Sequence, residues 1–502
     1  MTRRGGPPAV LALLVVLALL LGACSGTGSS GSGLPAAQTL VVGASLEPPT
    51  LDPTGSDAAS IPQALLYNVY ETLLKVDGAG RIHGLLARSW QVSPDRRTYR
   101  FTLRPDATFA GGGRVTPAAV VASIARVRAG HNVAAAGQLA VVGSVRAAGP
   151  DTVVFVLKRP SNAWLYAMTS TAGIVFDTSA TADLASRPAG SGPYALGHWT
   201  RGSELVLERN PRYWGAAPAF GSVTFRYFTD PNAMNSAMLS KGLDIISNLQ
   251  TPQTLPQFAD PSRYRVVKGT TNGEVVMALN NSSRALSDVR VRRAISYAVD
   301  RAALKRTVWA DQGTLIGSMV PPTDPWYQDL STTYPFDPAK ARQLLRQAGY
   351  GNGLTLRMRL PAVAYATASG QFVASQLGDV GITVTTDELD FPRWLDQVFT
   401  RADYDISIVA HVEPRDLVRF ADPHYYFRYD NPRFSRLVAA ADVGTEAQQT
   451  VDLRAAARLL SDDAAADWLF LLPNLVVTTS SVHGVPANAT TLSFDLSTIT
   501  KS

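Results

Sequence analysis

His411, Glu413, Arg415 and Asp416 crowd an imidazole, two carboxylates and a guanidinium into one short stretch, just after the apolar run Ile406-Ser407-Ile408-Val409-Ala410. Such a set at a strand end offers hydrogen-bond donors, acceptors and both signs of charge. It suits the reversible holding of a polar solute, with Arg415 able to meet a carboxylate through a bidentate fork. The same four residues also suit a solvated loop in which Glu413 and Arg415 pair with each other. The residues alone leave both readings open.

Covalent chemistry finds no comparable constellation. No Ser lies in Gly-x-Ser-x-Gly, and none stands three residues before any of the seven lysines, as a Ser-x-x-Lys nucleophile would. There is no Gly-x-x-x-x-Gly-Lys phosphate loop, and the glycine-rich Ala110–Arg114 segment reads as a turn. The histidines at 83, 131, 198, 411, 424 and 483 show no His-x-x-x-His or Cys/His ligand spacing. Asp462-Asp463 falls in an alanine-rich, helix-like segment and reads as surface. No enzyme activity, cofactor or resident metal is expected.

The elements that must position the polar cluster follow from periodicity. Residues 39–45 read as a short apolar strand, and 97–104 alternate with Tyr99, Phe101 and Leu103 on one face. A helix is predicted after Thr116 as N-cap and Pro117 at its first position. Another follows Asp337-Pro338, with Ala341, Leu344, Leu345 and Ala348 at helical spacing and Gly349 as the stop. Strands at 354–360 and 381–386 flank a helix near 366–379. The pattern is mixed α/β without a solenoid-length repeat. At 502 residues and 46% hydrophobic content, the chain fits two or three domains.

Net charge is +6, with 39 Arg against 7 Lys and no basic run, which argues against nucleic-acid binding. The single cysteine is informative. Arg3 and Arg4 precede an apolar run, Ala9–Leu21, and then Leu21-Gly22-Ala23-Cys24. That run is shorter than the ~20 residues a spanning helix needs but fits a secretory signal. Leu-Gly-Ala-Cys resembles a bacterial lipobox, which makes Cys24 the expected site of lipidation. Residues 1–23 are then a signal peptide, and the Gly/Ser-rich 24–38 a flexible tether. The body is expected to sit at the extracytoplasmic face of the cell membrane without crossing it.

Six further blocks carry a family likeness: 47–53 (EPPTLDP), 86–109 (LARSWQVSPDRRTYRFTLRPDATF), 190–194 (GSGPY), 207–215 (LERNPRYWG), 287–304 (SDVRVRRAISYAVDRAAL) and 336–350 (FDPAKARQLLRQAGY). In this order and spacing the chain resembles the extracytoplasmic solute-binding proteins of the peptide/nickel family, the receptors of peptide-type ABC importers. The likeness spans nearly all of residues 39–486.

The resemblance implies a two-lobed periplasmic-binding-protein fold, α/β, with the ligand cleft between the lobes. Lobe I would take 39–265, with an extra subdomain at about 70–189, and return at 475–502; lobe II would take 266–474. Most family blocks read as structural: Trp90, Tyr99, Phe101, Tyr213 and Trp214 as core, and Gly190, Gly192 and Pro193 as a turn. Residues 288–301 read as one amphipathic helix, with Val291, Ile295 and Ala298 inward and Arg290, Arg293 and Arg301 outward.

In peptide-binding members, the resemblance further implies, the strand matching 404–410 is followed by Gly-Trp-x-x-Asp, whose Asp holds the peptide ammonium. Here Ala410, His411 and Pro414 stand at the Gly, Trp and Asp places, so the acid is displaced, with Glu413 and Asp416 flanking it. The expected ligand contacts are Glu47, Pro49, His411, Glu413, Arg415, Asp416 and Tyr425, with Tyr426 and Tyr429 as walls or core. A peptide or peptide-like solute is the expected ligand, and an ABC permease and ATPase the partners of a monomeric receptor. The alternatives are a metal chelate through His411 or His424, a sugar or an opine. An enzyme on this scaffold and an adhesin-like lipoprotein are set against these.

Overall fold

A computed structural model describes residues 38–180 and 183–502. The signal peptide, Cys24 and all of the tether but Gln38 lie outside the described residues; Gln38 itself opens the first strand. Among the described residues no helix is long and apolar enough to cross a membrane.

One ten-stranded mixed sheet runs through the protein. Its strands are β1 (Gln38–Ala44), β2 (Tyr194–Thr200), β3 (Glu204–Arg209), β4 (Phe220–Tyr227), β5 (Ile245–Ile246), β6 (Tyr264–Leu279), β7 (Leu354–Pro361), β8 (Ile382–Leu389), β9 (Ile406–His411) and β10 (Ala466–Thr479). They lie in the order β2-β3-β4-β1-β5-β10-β6-β9-β7-β8. A separate antiparallel sheet of four strands holds Ala87–Val92, Thr98–Leu103, Thr152–Leu157 and Val142–Ala147, in that order.

The cores fall into two groups along this sheet. The first packs residues from Leu40 to Phe225, the four-stranded sheet included, with Val476, Val482, Leu496 and Ile499 returning from the far end of the sequence. Met234, Phe258, Tyr264, Leu475 and Val477 form a smaller core beside it. The second group covers both faces of the other half: Val275, Met277 and Leu279 enter one core, Val276 and Ala278 another. That two-sided burial is why 275–279 reads as a continuous apolar run rather than an alternating one.

Among the described residues, β6 and β10 are the strands that run the full distance between the two groups. Their antiparallel ladder is interrupted between Thr270 and Glu274, and again between Val275 and Val276. Irregularities of this kind bend a strand and increase its local twist, so the interruption marks where the sheet bends.

Local chemistry accounts for the helices. Thr116 Oγ1 accepts from Ala119 N at 3.2 Å at the start of the helix Pro117–Ala129. Asp337 Oδ1 accepts from Lys340 N at 2.8 Å, and Ala341, Leu344 and Leu345 of Pro338–Gln347 are buried. Gly349, at φ 91°, takes the left-handed turn that ends this segment. The expected single helix through 288–301 is two helices, Val289–Ala298 and Arg301–Trp309, each with its own aspartate cap, Asp288 and Asp300. The break turns Arg301 inward, against expectation. It is 7% exposed, donates to the carbonyls of Ile316 and Trp468 at 2.9 Å each and to that of Ser331, and lies 3.7 Å from Asp467.

Burial pushes the Asp467 carboxyl up to about 6, while Arg301 pulls it down. A folded-state value above the ordinary one means the group's contribution to stability is complete below about pH 4 and lost as pH rises through about 6. Asp467→Asn should therefore flatten the stability profile. Between about pH 4 and 7 the wild type should lose roughly 3 kcal/mol relative to the variant, as read by urea titrations across that range. Parallel profiles would refute it.

Candidate functional site

Strand β9 pairs antiparallel with β6 in a register that sets Val409 against Val276, Ala410 against Val275 and His411 against Glu274. Ile406 and Ile408 enter one core and Val409 the opposite one. By the period of two, His411 projects on Val409's side, at the end of the strand, where β6 begins its irregular crossing. The chain then turns sharply. Arg415 adopts φ 62°, uncommon for a residue with a side chain, and opens the turn Asp416–Ala421.

Three of the predicted contacts meet here. His411 is buried, with Nε2 2.7 Å from the Tyr426 hydroxyl and Nδ1 3.2 Å from Asp416 Oδ2. The Tyr425 hydroxyl lies 3.4 Å from the same Nδ1. Both ring nitrogens therefore face polar neighbours, Nε2 the Tyr426 hydroxyl and Nδ1 the Asp416 carboxylate and the Tyr425 hydroxyl. Asp416 is buried, and burial raises its pKa while His411 lowers it. Neither of its oxygens has a hydrogen-bond partner among the described residues; the imidazole is its near neighbour.

Arg415 belongs to the same cluster, but its partner is not Glu413. Its Nε is 4.0 Å from Asp324 Oδ1. Its guanidinium sits 3.7 Å from the centre of the Tyr166 ring and 5.0 Å from that of Trp326, a cation held between two aromatic faces. Tyr166 belongs to the short helix Asn162–Ala167 beside the four-stranded sheet, so this stack joins the two core groups. Burial raises Asp324 to about 6, against the pull of Arg415.

Glu413 is exposed, and no ion pair joins it to Arg415. It is nevertheless close: His411, Glu413 and Asp416 offer ligand atoms all within 4.8 Å of one another. His424 is exposed and stands outside that grouping. Tyr426 and Tyr429 are buried in the core, while half-buried Tyr425 packs edge-on against Phe420 and Tyr426. Glu47 and Pro49 are engaged elsewhere. Glu47 accepts from Trp199 Nε1 at 2.8 Å and Gly202 N at 2.9 Å, and the Pro49 carbonyl accepts from Arg201 at 3.3 Å. A surface groove of about 650 Å³ lies nearby, lined by Arg187, His198, Trp199 and Arg201. Its charged groups are exposed, so it lacks the buried polar atoms that mark the His411 cluster.

Sequence reasoning missed Glu274, Asp324, Tyr166 and Trp326. Glu274 is 1% exposed, faces His411 across the ladder, and has Oε2 unpartnered. Burial first, then nearby Asp416, holds its carboxyl well above the usual range. Its one sequence signal is an acid at the head of a buried apolar run. Tyr166, Asp324 and Trp326 gave none, because only the fold brings them to Arg415.

The family model described as bacterial extracellular solute-binding proteins, family 5 (middle region), matches residues 81–428. The glutathione-binding protein GsiB of Salmonella typhi is 28% identical over 378 residues, 73% of each chain. Among solved structures, NikA from Brucella suis in complex with Fe(III)-EDTA superposes with a TM-score of 0.83 at 23% identity, over 93% of this chain and 100% of that one. DppA from Helicobacter pylori in complex with the peptide STSA gives 0.80 at 19% identity, over 92% and 98%. Both share the two-lobed α/β fold.

Proposed function

The chain belongs to the bacterial extracellular solute-binding proteins, family 5, and from that premise we propose that it captures a peptide or peptide-like solute between two closing lobes. Membership of the family makes it the substrate-binding component of an ABC importer for peptides or related solutes. In our reading lobe I takes residues 39–265, with a subdomain at about 70–189, and is completed by 475–502. Lobe II takes 266–474. Support comes from the two groups of cores and from the interrupted ladder of the crossing strands. Cys24 carries the lipid that holds this monomeric receptor at the outer face of the membrane, on the strength of Leu21-Gly22-Ala23-Cys24 and the tether behind it.

One observation carries the ligand site: a buried polar cluster of His411, Asp416, Arg415 and Asp324 stands at the lobe border with several atoms unpaired. Buried polar atoms left unsatisfied are costly unless a partner arrives, and a bound solute is such a partner. Closure then follows from contacts that exist only with both lobes on the ligand. The names of GsiB and of the DppA complex, glutathione and a peptide, favour a peptide here.

Native mass spectrometry of the mature protein, gently purified, should detect a bound small molecule that denaturation releases as a peptide. Asp416→Ala should arrive empty, with affinity for the re-added peptide reduced at least about tenfold, as expected for loss of a buried charged partner. Glu413→Ala should weaken binding less, because Glu413 is exposed. A second reading rests on the grouping of His411, Glu413 and Asp416 within 4.8 Å: the cargo is a metal or metal chelate. It would require His411 to give up Tyr426 or Asp416. A released chelate, lost in His411→Ala, would replace the peptide reading while keeping the receptor.

A further inference from the structure

We propose that the end of the large sheet where β1 begins is a basic surface that lies on anionic phospholipid headgroups. This rests on the reading of Cys24 as a lipid anchor and goes beyond it by naming the face presented to the membrane. The residues from Cys24 to Ala37 could span at most about 50 Å if fully extended. That length bounds how far from the bilayer an anchored body holds this end.

Topology brings several chain segments to the same end. β1 and β4 start there together, with Gln38 against Phe220, and β3 finishes there, with Glu208 against Ser222. The turn before β5 arrives beside them, Asp244 N donating to Val41 O at 2.8 Å. β6 starts there too: Tyr264 lies opposite Thr479, whose N–H donates to Asp244 O at 2.9 Å. These segments carry Arg209, Arg212, Lys241 and Arg263. The glycine-rich turn Ala110–Arg114 packs against Arg212, whose Nη1 donates to Ala110 O at 3.0 Å, and adds Arg114. Arg209 is half-buried and the other four are exposed.

None of the five is in an ion pair among the described residues; the ion pair at this end joins Lys501 to Asp244 at 2.7 Å. The guanidinium groups donate to carbonyls instead: Arg209 to Ala219 and Phe220, Arg212 to Ala110, Arg114 to Pro105 and Arg263 to Leu239. A carbonyl orients a guanidinium but leaves its charge uncompensated. Arg104 and Arg265, which also donate to carbonyls, flank the group. The acids nearby are fewer. Asp260 accepts from Ser262, Glu208 lies against Gly197 of β2, and Asp106 is exposed beside Pro105. From β3 to β6 the sheet crosses five strand spacings, about 24 Å, with β1 between them. The charge is therefore a broad array rather than a socket for one phosphate, and its middle is where the anchored segment joins the body. A plane of anionic headgroups fits both facts, since each Lys or Arg brought to such a plane strengthens the hold.

The test places the mature protein on vesicles of phosphatidylcholine, alone or mixed with phosphatidylglycerol. Acylation of Lys241 by an amine-reactive reagent is followed by peptide mass spectrometry, and flotation with the neutral vesicles reports the anchor by itself. On mixed vesicles Lys241 should react about tenfold more slowly than on neutral ones. Exposed Lys158, just beyond the strand Thr152–Leu157, should react alike on both. Molar salt should restore the Lys241 rate by screening the headgroups. The double variant Arg212→Glu, Arg263→Glu, with folding checked by circular dichroism, should lose most of the protection. Equal Lys241 rates on the two kinds of vesicle overturn the surface and leave the anchor standing. So does protection that survives salt, or that dissolved polyglutamate or glycerol phosphate reproduces. If the double variant does not fold, the lipid and salt series on wild type decides in the same way. A protein that fails to float with neutral vesicles overturns the anchor, and the surface falls with it unless mixed vesicles still float the protein and shield Lys241.

Discussion

Asp442→Ala should leave the protein folded but weaken solute binding roughly thirty- to hundredfold, with most of the change in the release rate. Asp442 stands near the end of the helix Pro432–Val443 in the second core group. It accepts from Ser161 Oγ at 2.8 Å and from Ala163 N at 3.0 Å, and it forms an ion pair with Arg159. All three partners lie beside the four-stranded sheet of the first group. Around it, Asn162 Nδ2 donates to the carbonyls of Ala441 and Gly444 at 2.8 and 3.0 Å, and Arg96 to those of Val443 and Gly444. The carbonyl end of one helix thus receives amide and guanidinium donors from the other body, and a carboxylate meets the free N–H at the start of Asn162–Ala167.

Arg159 is 57% exposed, so its ion pair counts for little. The two hydrogen bonds to the Asp442 carboxylate matter more, at about 2–3 kcal/mol together. On the lobe division proposed above, that energy is gained only on closure, so it would multiply affinity through the closed population. Stopped-flow release of a bound peptide, with small-angle scattering of the loaded protein, measures both effects. Unchanged release and unchanged compactness in the variant would refute the latch.

Gly190→Ala should cost about 3 kcal/mol or more, as severe overpacking does, and Gly192→Ala a similar amount. A Cβ on Gly190 would lie 1.9 Å from the Val69 carbonyl oxygen, and one on Gly192 2.4 Å from that of Asn68. Neither backbone can retreat. Gly192 N donates to Val69 O at 3.0 Å and Tyr194 N to Asn68 O at 2.9 Å, while Ala110 N donates to Gly190 O at 3.0 Å. Between the glycines, Ser191 Oγ donates at 2.7 Å to buried Glu71, which also accepts from Tyr213 and Trp214. The two glycines thus let one chain segment lie directly on another, with Ser191 pinned beneath. Urea unfolding of both variants reads the loss; wild-type midpoints would show that the contact relaxes.

Where the residues carried their own instructions, the fold was legible. Asp337-Pro338 wrote a cap and a first turn, Tyr99, Phe101 and Leu103 wrote one face of a strand, and all behave accordingly. The helix break at Val299-Asp300 was legible in principle, because Asp300 followed by Arg301 is a second cap inside a helical pattern. The extended reading overrode it and turned Arg301 the wrong way. Of the site, the polar stretch at 411–416 could be seen because its residues are neighbours in sequence. Asp324 and Tyr166 could not, since each reaches Arg415 from a distant part of the chain. Adjacency alone left a Glu413–Arg415 pair open beside the ligand-contact reading; with the backbone left-handed at Arg415, the guanidinium stands beside Asp324 instead.

The place of β10 in the sheet constrains how the molecule assembles. It lies between β5 and β6, and Val476 and Ile499 complete the core that begins at Leu40. A chain emerging N-terminus first, whether from the ribosome or from a translocation pore, therefore cannot seal its first hydrophobic core until nearly all of it has arrived. Contacts this distant in sequence slow folding, because loop closure must precede their reward. Once the last segment docks, the two bodies are stitched by shared strands and should melt together.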